Sequence, residues 1–326
     1  MILQHIAVVI PVLNEEAVLD VLVEQLLSVL EGKDFCWSVL FVDDGSSDGT
    51  LAKLKKLHAA DSRFTSISLS RHFGKDVAIA AGLRYAHGDA VILMDADLQH
   101  PPSAIPSFVE RWREGYKVVF GQRQNRNSDG FLRKLCSRVF HKVFRRIART
   151  QLPIGVVDFL LLDRQAVDAI NRLGERTRFS KGLYAWIGFP STRVPFVSGG
   201  RSIGTSRWNF FALVQFAFDG FISFSSLPLK IWSYIGAFIS LSALAYAAYF
   251  VVRTLIFEAD LPGFPSLIVS IMLFAGIQLI SLGIIGEYLA RVYEEVKARP
   301  LYVVAEEIGV SGQVPAVPGL IRTRKG

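Results

Sequence analysis

The chain has 326 residues, 51% of them hydrophobic, and a formal charge of +7 at neutral pH. This is enough for one sizeable catalytic domain with something added, and the basic balance suits an anionic partner: nucleic acid, nucleotide phosphates or an acidic lipid surface. The two cysteines, Cys36 and Cys136, lie far apart without a partner motif, which excludes a disulfide framework or a cysteine metal cage.

Through the first two hundred residues, short apolar runs alternate with amphipathic patterns. Strands are expected at Ile6–Val12, Ser38–Asp43, Thr65–Ser70, Ala90–Asp95 and Val118–Gly121, and helices at Ala17–Leu30, Gly49–Ala59, Asp76–Ala86 and Ile105–Arg113. The first run lacks a basic leader and is followed by Glu15 and Glu16, so it is expected to be a buried strand rather than a signal peptide. Such alternation predicts an α/β domain with a mostly parallel, doubly wound sheet. Ligands of such sheets sit beyond the carboxyl ends of the strands. Pro11–Asn14, Asp43–Ser46 and Asp95–Gln99 fall at three such ends.

Residues 131–150 are different. Phe131, Leu135, Val139, Val143 and Ile147 recur at helical spacing among Arg133, Lys134, Arg138, Lys142, Arg145, Arg146 and Arg149, with no acidic residue. A basic amphipathic helix suits the headgroup layer of an anionic membrane, and equally a surface helix packed on the core. An aromatic-rich juxtamembrane segment is expected at 208–229, followed by transmembrane helices at about 231–252 and 266–289, within 230–290. Each is long enough to cross a ~30 Å hydrocarbon core. Lys230, Arg291, Lys297 and Arg299 flank the spans on the side of both termini, whereas the connector sets Arg253 against Glu258 and Asp260. The excess of basic residues predicts a multi-pass protein of the cytoplasmic (inner) membrane with its catalytic domain (1–207), both termini and a tail (291–326) in the cytosol. The membrane accounts for the basic charge better than nucleic acid does, so no nucleic-acid partner is expected.

Two motifs carry chemistry. Asp95-Ala96-Asp97 ends an apolar strand, and Pro101 and Pro102 follow. Two carboxylates at i and i+2 can share one Mg2+ or Mn2+ whose remaining ligands are substrate phosphates. Val42-Asp43-Asp44-Gly45-Ser46 ends a second strand, where a carboxylate can accept hydrogen bonds from a uracil or guanine edge. Neither a Walker loop nor a dinucleotide fingerprint is present.

These motifs, with Val9-Ile10-Pro11-Val12-Leu13-Asn14-Glu15-Glu16 and Gly74-Lys75-Asp76, resemble family 2 glycosyltransferases of the GT-A fold. Gly121-Gln122-Arg123, Asp158-Phe159, Trp186-Ile187-Gly188-Phe189 and Phe224-Ser225-Ser226-Leu227-Pro228-Leu229 extend the resemblance to polyprenyl-phosphate glycosyltransferases, the dolichol-phosphate mannose synthases and undecaprenyl-phosphate glucosyltransferases. The resemblance implies inverting, metal-dependent transfer from a nucleotide-sugar to a polyprenyl phosphate. UDP-glucose and undecaprenyl phosphate are favoured, with GDP-mannose and dolichyl phosphate as the alternative. It implies a nucleotide-sugar site of Pro11, Leu13, Glu15, Asp43, Lys75, Asp95, Ala96, Asp97, Gln99, Arg123, Arg201 and Arg207. Asp97, Gln99 and Asp95 would hold Mg2+ or Mn2+, and Arg133 and Ser137 would meet the acceptor phosphate. Asp97 and Asp158 would be catalytic, Asp158 as a base or an orienting group. Self-association is left open.

Three positions depart from the family pattern: Leu160 where a basic residue often follows Asp-Phe, His72 in place of Asn, and Arg207 in place of Lys. A processive polysaccharide synthase is disfavoured, because Gly204 stands where the Gln of Q-x-x-R-W belongs and Val157 precedes Asp158. A non-catalytic membrane scaffold would be expected to have lost Asp95, Asp97, Gln99, Arg201 and Arg207; all five stand.

Overall fold

The structure is a computed structural model that describes residues 3–124, 156–173, 175, 180–197 and 263–310, with scattered positions between 234 and 256. Arg133, Ser137, Arg201, Arg207, the basic helix expected at 131–150 and the segment 208–229 lie outside the described residues. The chain divides into two compact units, one of Met1–Gln215 with Ala298–Gly326 and one of Phe216–Lys297.

The first unit is built on a sheet of eight strands: β1 (His5–Val12), β2 (Cys36–Asp43), β3 (Phe64–Leu69), β4 (Ala90–Leu93), β5 (Val118–Arg123), β6 (Val156–Asp163), β7 (Ser191–Phe196) and β8 (Val304–Ile308). Their order across the sheet is β7-β5-β6-β4-β1-β2-β3-β8. Only β6 and β8 run against the other strands. Helices α1 (Leu19–Leu30), α2 (Thr50–Ala60), α3 (Lys75–Tyr85), α4 (Ile105–Arg113), α5 (Arg164–Arg172) and α6 (Ser180–Trp186) cover the two faces. This is the mixed α/β sheet expected of a GT-A domain.

The sheet is buried on both faces, which is why its central strands read as unbroken apolar runs. On β1, Ile6, Val8, Ile10 and Val12 pack with α1, α2 and α4. Ala7 and Val9 point the other way, with α3, α5 and α6. Gly82 lets α3 come close to that second face. A Cβ there would stand 2.3 Å from Val9 Cγ1 and 3.0 Å from Val42 Cγ2.

The first five expected strands and the four expected helices all appear, with ends shifted by one or two residues. Strands β6, β7 and β8 were not anticipated. β8 in particular lies where a tail was expected. Ser66 pairs with Ile308 and Leu69 with Val304, while Lys55–Glu306 (2.8 Å) and Tyr85 Oη to Glu307 Oε1 (2.7 Å) tie the strand to neighbouring helices. At the edge of the sheet among the described strands, β8 tolerates two glutamates that a central strand would not.

The second unit contains α7 (Phe264–Val296), 33 residues long and hence about 50 Å at 1.5 Å per residue. Among the described residues, Leu273–Val296 is the one stretch long and apolar enough to cross a bilayer. Its large side chains, among them Leu279, Leu282 and Leu289, are exposed.

Replacing Gly82 by Val should overpack the contact between α3 and β1, at a cost of about 1–3 kcal/mol. The expected result is a thermal midpoint several degrees lower for the detergent-solubilised protein, measured beside wild type.

Candidate active site

The loops that leave β1 and β2 bind one another. Asn14 N–H donates to Ser46 Oγ (2.9 Å), and Asn14 Oδ1 accepts from Ser47 N–H (2.8 Å). Glu15 N–H donates to Thr50 Oγ1, and Glu16 Oε2 accepts from Gly49 N–H. Asn14 adopts φ 56°, a left-handed conformation that asparagine tolerates better than most residues. Gly45 is required by the next loop: it has φ +76°, and a Cβ on it would lie 2.5 Å from the carbonyl carbon of Arg71.

The two aspartates that end β2 divide the work. Asp43 is buried, accepting from Ser68 Oγ (2.7 Å) and Ser46 N–H (3.0 Å). These two bonds anchor the loop that leaves β2. Asp44, also buried, gathers the segment after β3, accepting from Phe73 N–H and Gly74 N–H and pairing with His72 Nδ1 at 2.8 Å. His72 thereby reaches a carboxylate from the position where the family often has Asn. The loop pinned in this way delivers Lys75 at the first residue of α3.

The carboxylates meet because β6 is antiparallel to β4. Leu93 pairs with Leu160, so two residues further along, Asp95 falls across from Asp158. Lys75 Nζ lies between them, 2.6 Å from Asp95 Oδ1 and 3.1 Å from Asp158 Oδ2. Burial works against the ammonium, but the two carboxylates outweigh it and raise the Lys75 pKa. The Lys75 charge is therefore present throughout the physiological range. Alongside, Asp76 accepts a short hydrogen bond from Ser180 Oγ. Its pKa is raised, first by burial and then by the nearby Asp158 charge, against the lowering effect of Ser180.

Asp97 sits on the turn that follows. Its Oδ1 accepts from Gln99 N–H (3.1 Å), and Leu98 takes φ 60°. Among the described residues no three His, Cys, Asp or Glu side chains converge. The donors present, Asp97 and Asp95 with Gln99 beside them, are hard oxygen groups. They fit a dication that takes one or two carboxylates from the protein and the rest of its ligands from a diphosphate and water.

The structure therefore brings Lys75, Asp95 and Asp158 into contact and sets Asp97, Ala96 and Gln99 on the adjoining turn. Pro11, Leu13, Glu15 and Asp43 lie at the neighbouring strand ends, and Arg123 is exposed at the carboxyl end of β5. Leu160 is fully buried between Leu93 and Phe120, so the apolar residue at that position completes the core. Asp76, Ser180 and the anchoring role of Asp44 were not read from sequence. Ser180 carries no local signal, being brought to Asp76 only by the fold.

Residues 7–170 match the family described as glycosyl transferase family 2. The chain belongs to that family. It is 46% identical to an uncharacterized glycosyltransferase of Synechocystis, over 94% of this chain and 96% of the relative. It is 42% identical to the putative glycosyltransferase CsbB of Bacillus subtilis, over 92% of this chain and 91% of the relative. It is 38% identical to a prophage-derived bactoprenol glucosyl transferase of Shigella flexneri, over 92% and 97%. The resemblance to polyprenyl-phosphate glycosyltransferases thus extends well beyond the isolated motifs.

The raised Asp76 pKa gives a pH-dependent expectation. The folded state holds a proton on Asp76 more tightly than the unfolded chain does, so stability falls as pH rises through the window above the ordinary aspartate value, about 3.9. Asp76→Asn removes that penalty. It should raise the thermal midpoint at pH 7–8, with the gain fading as pH is lowered towards 4, measured by melting across that range.

Proposed function

We propose that this protein transfers a hexose, with inversion, from a UDP-sugar such as UDP-glucose to undecaprenyl phosphate. The reaction takes place at the cytosolic face of the inner membrane, and the product is a lipid-linked sugar donor for cell-envelope glycan or lipid modification. The observation that carries this reading is the meeting of Asp95 and Asp158 at Lys75, beside the Asp97 turn. It occurs in a chain that matches a bactoprenol glucosyl transferase along nearly its whole length.

A phosphate monoester has its second pKa near 6, so at neutral pH it is already largely a dianionic nucleophile. Its oxygen forms the new bond to C1 as the bond from C1 to the diphosphate oxygen breaks, and no proton has to move. Asp158 is therefore assigned to orient the reacting groups rather than to deprotonate the acceptor. Lys75 holds Asp158 and Asp95 in register and offsets part of the negative charge where diphosphate and phosphate approach. Arg123, Arg201 and Arg207 are assigned to the diphosphate, and Arg133 and Ser137 to the acceptor phosphate, following the family pattern. Asp97, with Asp95 and Gln99, is assigned to Mg2+ or Mn2+, which when bound neutralises charge on the leaving diphosphate.

Chain parity supports a two-span reading of the membrane segment. β1–β7 and β8 belong to one sheet, yet α7 lies between them in sequence. If α7 crosses the bilayer once, the two parts of that sheet would fall on opposite sides. A further crossing between 198 and 263 resolves this, and the apolar stretch 231–252 is the candidate. Its described positions are helical, and Tyr234, Phe238 and Leu241 are exposed. This supports a two-helix hairpin.

The activity test is a panel of nucleotide-sugars, GDP-mannose included, offered with undecaprenyl phosphate in detergent and read by mass spectrometry of the lipid product. UDP-glucose is expected to react and EDTA to stop the reaction. Asp97→Ala should lower turnover by at least about 100-fold, in the range found when transition-state charge stabilisation is lost. Failure with every donor would remove the proposal. For topology, a single cysteine at Ala259 in a cysteine-free background should react with an impermeant maleimide in intact spheroplasts, and one at Ser311 only after lysis. The reverse pattern, or no labelling at Ala259 until lysis, would rule out the hairpin.

A further inference from the structure

The turn that carries Asp95 and Asp97 is held from below by a residue to which the reaction gives no role. His100 is buried against the aromatic side chains of the core. Its ring stacks on Phe159 (5.1 Å between centroids, 9° between planes) and meets Phe196 edge-on at 6.0 Å. Phe159 in turn packs on Phe108 at 4.6 Å. A phenylalanine could fill such a place, and packing alone does not explain an imidazole there.

The contacts of the imidazole include one that a phenyl ring cannot make. Asp95 N–H donates to His100 Nδ1 at 3.0 Å. A backbone N–H only donates, so Nδ1 must be the unprotonated, accepting nitrogen. The 3.8 Å approach of Nδ1 to Asp95 Oδ2 is then no ion pair. It follows from His100 folding back over the start of the turn.

We propose that His100 is a positioning residue: its neutral imidazole clamps the Asp95 backbone and links the turn bearing Asp95 and Asp97 to the strand bearing Asp158. Phe159, the stacking partner, is the neighbour of Asp158 in β6 and points to the opposite face. A fixed His100 therefore sets two carboxylate-bearing segments relative to each other through one ring. Lys75 spans the gap on the other face of the sheet, and the two linkages hold the same strand ends from both sides. Leu98 at φ 60° and the Gln99 N–H to Asp97 Oδ1 bond complete a turn whose shape depends on that first anchored amide. Without an acceptor, the part-buried Asp95 N–H would seek another partner, and the turn would shift to supply one.

This inference rests on the glycosyltransferase reading above, and two substitutions separate the parts of the ring. His100→Phe keeps the aromatic packing and loses the acceptor. His100→Asn places Oδ1 near the position of Nδ1, keeping the acceptor and losing the packing. The measurement is the affinity of the full-length protein in detergent for UDP and for GDP, with Mn2+ and with EDTA, beside the thermal midpoint of each variant. Wild type identifies which nucleotide is bound with Mn2+; absence of Mn2+-dependent binding by wild type would count against the function and not against His100. His100→Phe is expected to weaken Mn2+-dependent binding at least tenfold while melting nearer to wild type. His100→Asn is expected to bind within about threefold of wild type despite a lower midpoint. Binding that follows the melting order, or an Asn variant as impaired as Phe, would overturn the positioning role. Should His100→Phe not fold, the Asn variant decides alone, since its affinity either stays near wild type or falls.

Discussion

The arrangement turns on one ammonium placed between two carboxylates that sit across a strand pair. Asp95 and Asp158 would repel each other at the register that β4 and β6 impose, and Lys75 makes that register tolerable. Because the two carboxylates raise its pKa against the effect of burial, the clamp is charged under every condition in which the enzyme would work. The loop that brings Lys75 into place is itself tied down by Asp44 through two backbone amides and His72. Buried hydrogen bonds to an ionised carboxylate are among the stronger polar contacts available to a fold. The end of β2 therefore controls the position of the start of α3, where Lys75 bridges the ends of β4 and β6.

The sheet explains why so few residues need to be specified at the site. Four parallel strands, β1 to β4, end on the same side, and the antiparallel β6 begins there. Their loops are short and bonded to each other, as Asn14 is to Ser46 and Ser47. Two core clusters, one on each face, hold the strands rigid below the loops, so polar groups at the strand ends stay in fixed relation without contributing to the core. His100 differs, a polar ring stacked against the aromatic side chains of one cluster.

How much of this could be read from the sequence depended on the range of each interaction. The continuous apolar runs of β1, β2 and β4 announce strands buried on both faces, and the motifs at their ends place Asp43, Asp95 and Asp97 at the crevice. Asp158 was legible only through family resemblance, since a strand that runs backwards beside β4 leaves no local mark. Ser180 and Asp76 meet across a long stretch of chain, and no spacing rule connects them. His100 precedes Pro101 and Pro102, a pattern that looks like a turn, and its burial against Phe159 and Phe196 is a tertiary fact. β8 was hidden by its two glutamates, which are accepted at the edge of the described sheet, where Lys55 and Tyr85 meet them.

Charge gives the strand ends their common purpose. A leaving diphosphate and an acceptor phosphate bring several negative charges into one crevice, and a nucleophile that is already ionised asks the protein for neutralisation rather than for a base. That shifts the demand from a single proton acceptor to the sum of nearby cations. Under the proposed reaction Lys75, at the start of α3, would supply one, and Arg123, exposed at the carboxyl end of β5, would supply another. In such a site a part-buried carboxylate at Asp158 is useful only if its own charge is balanced, and Lys75 supplies that balance in the fold itself. The same ammonium that lets β4 and β6 pair thus prepares the crevice for anions, so that stability and chemistry draw on one contact.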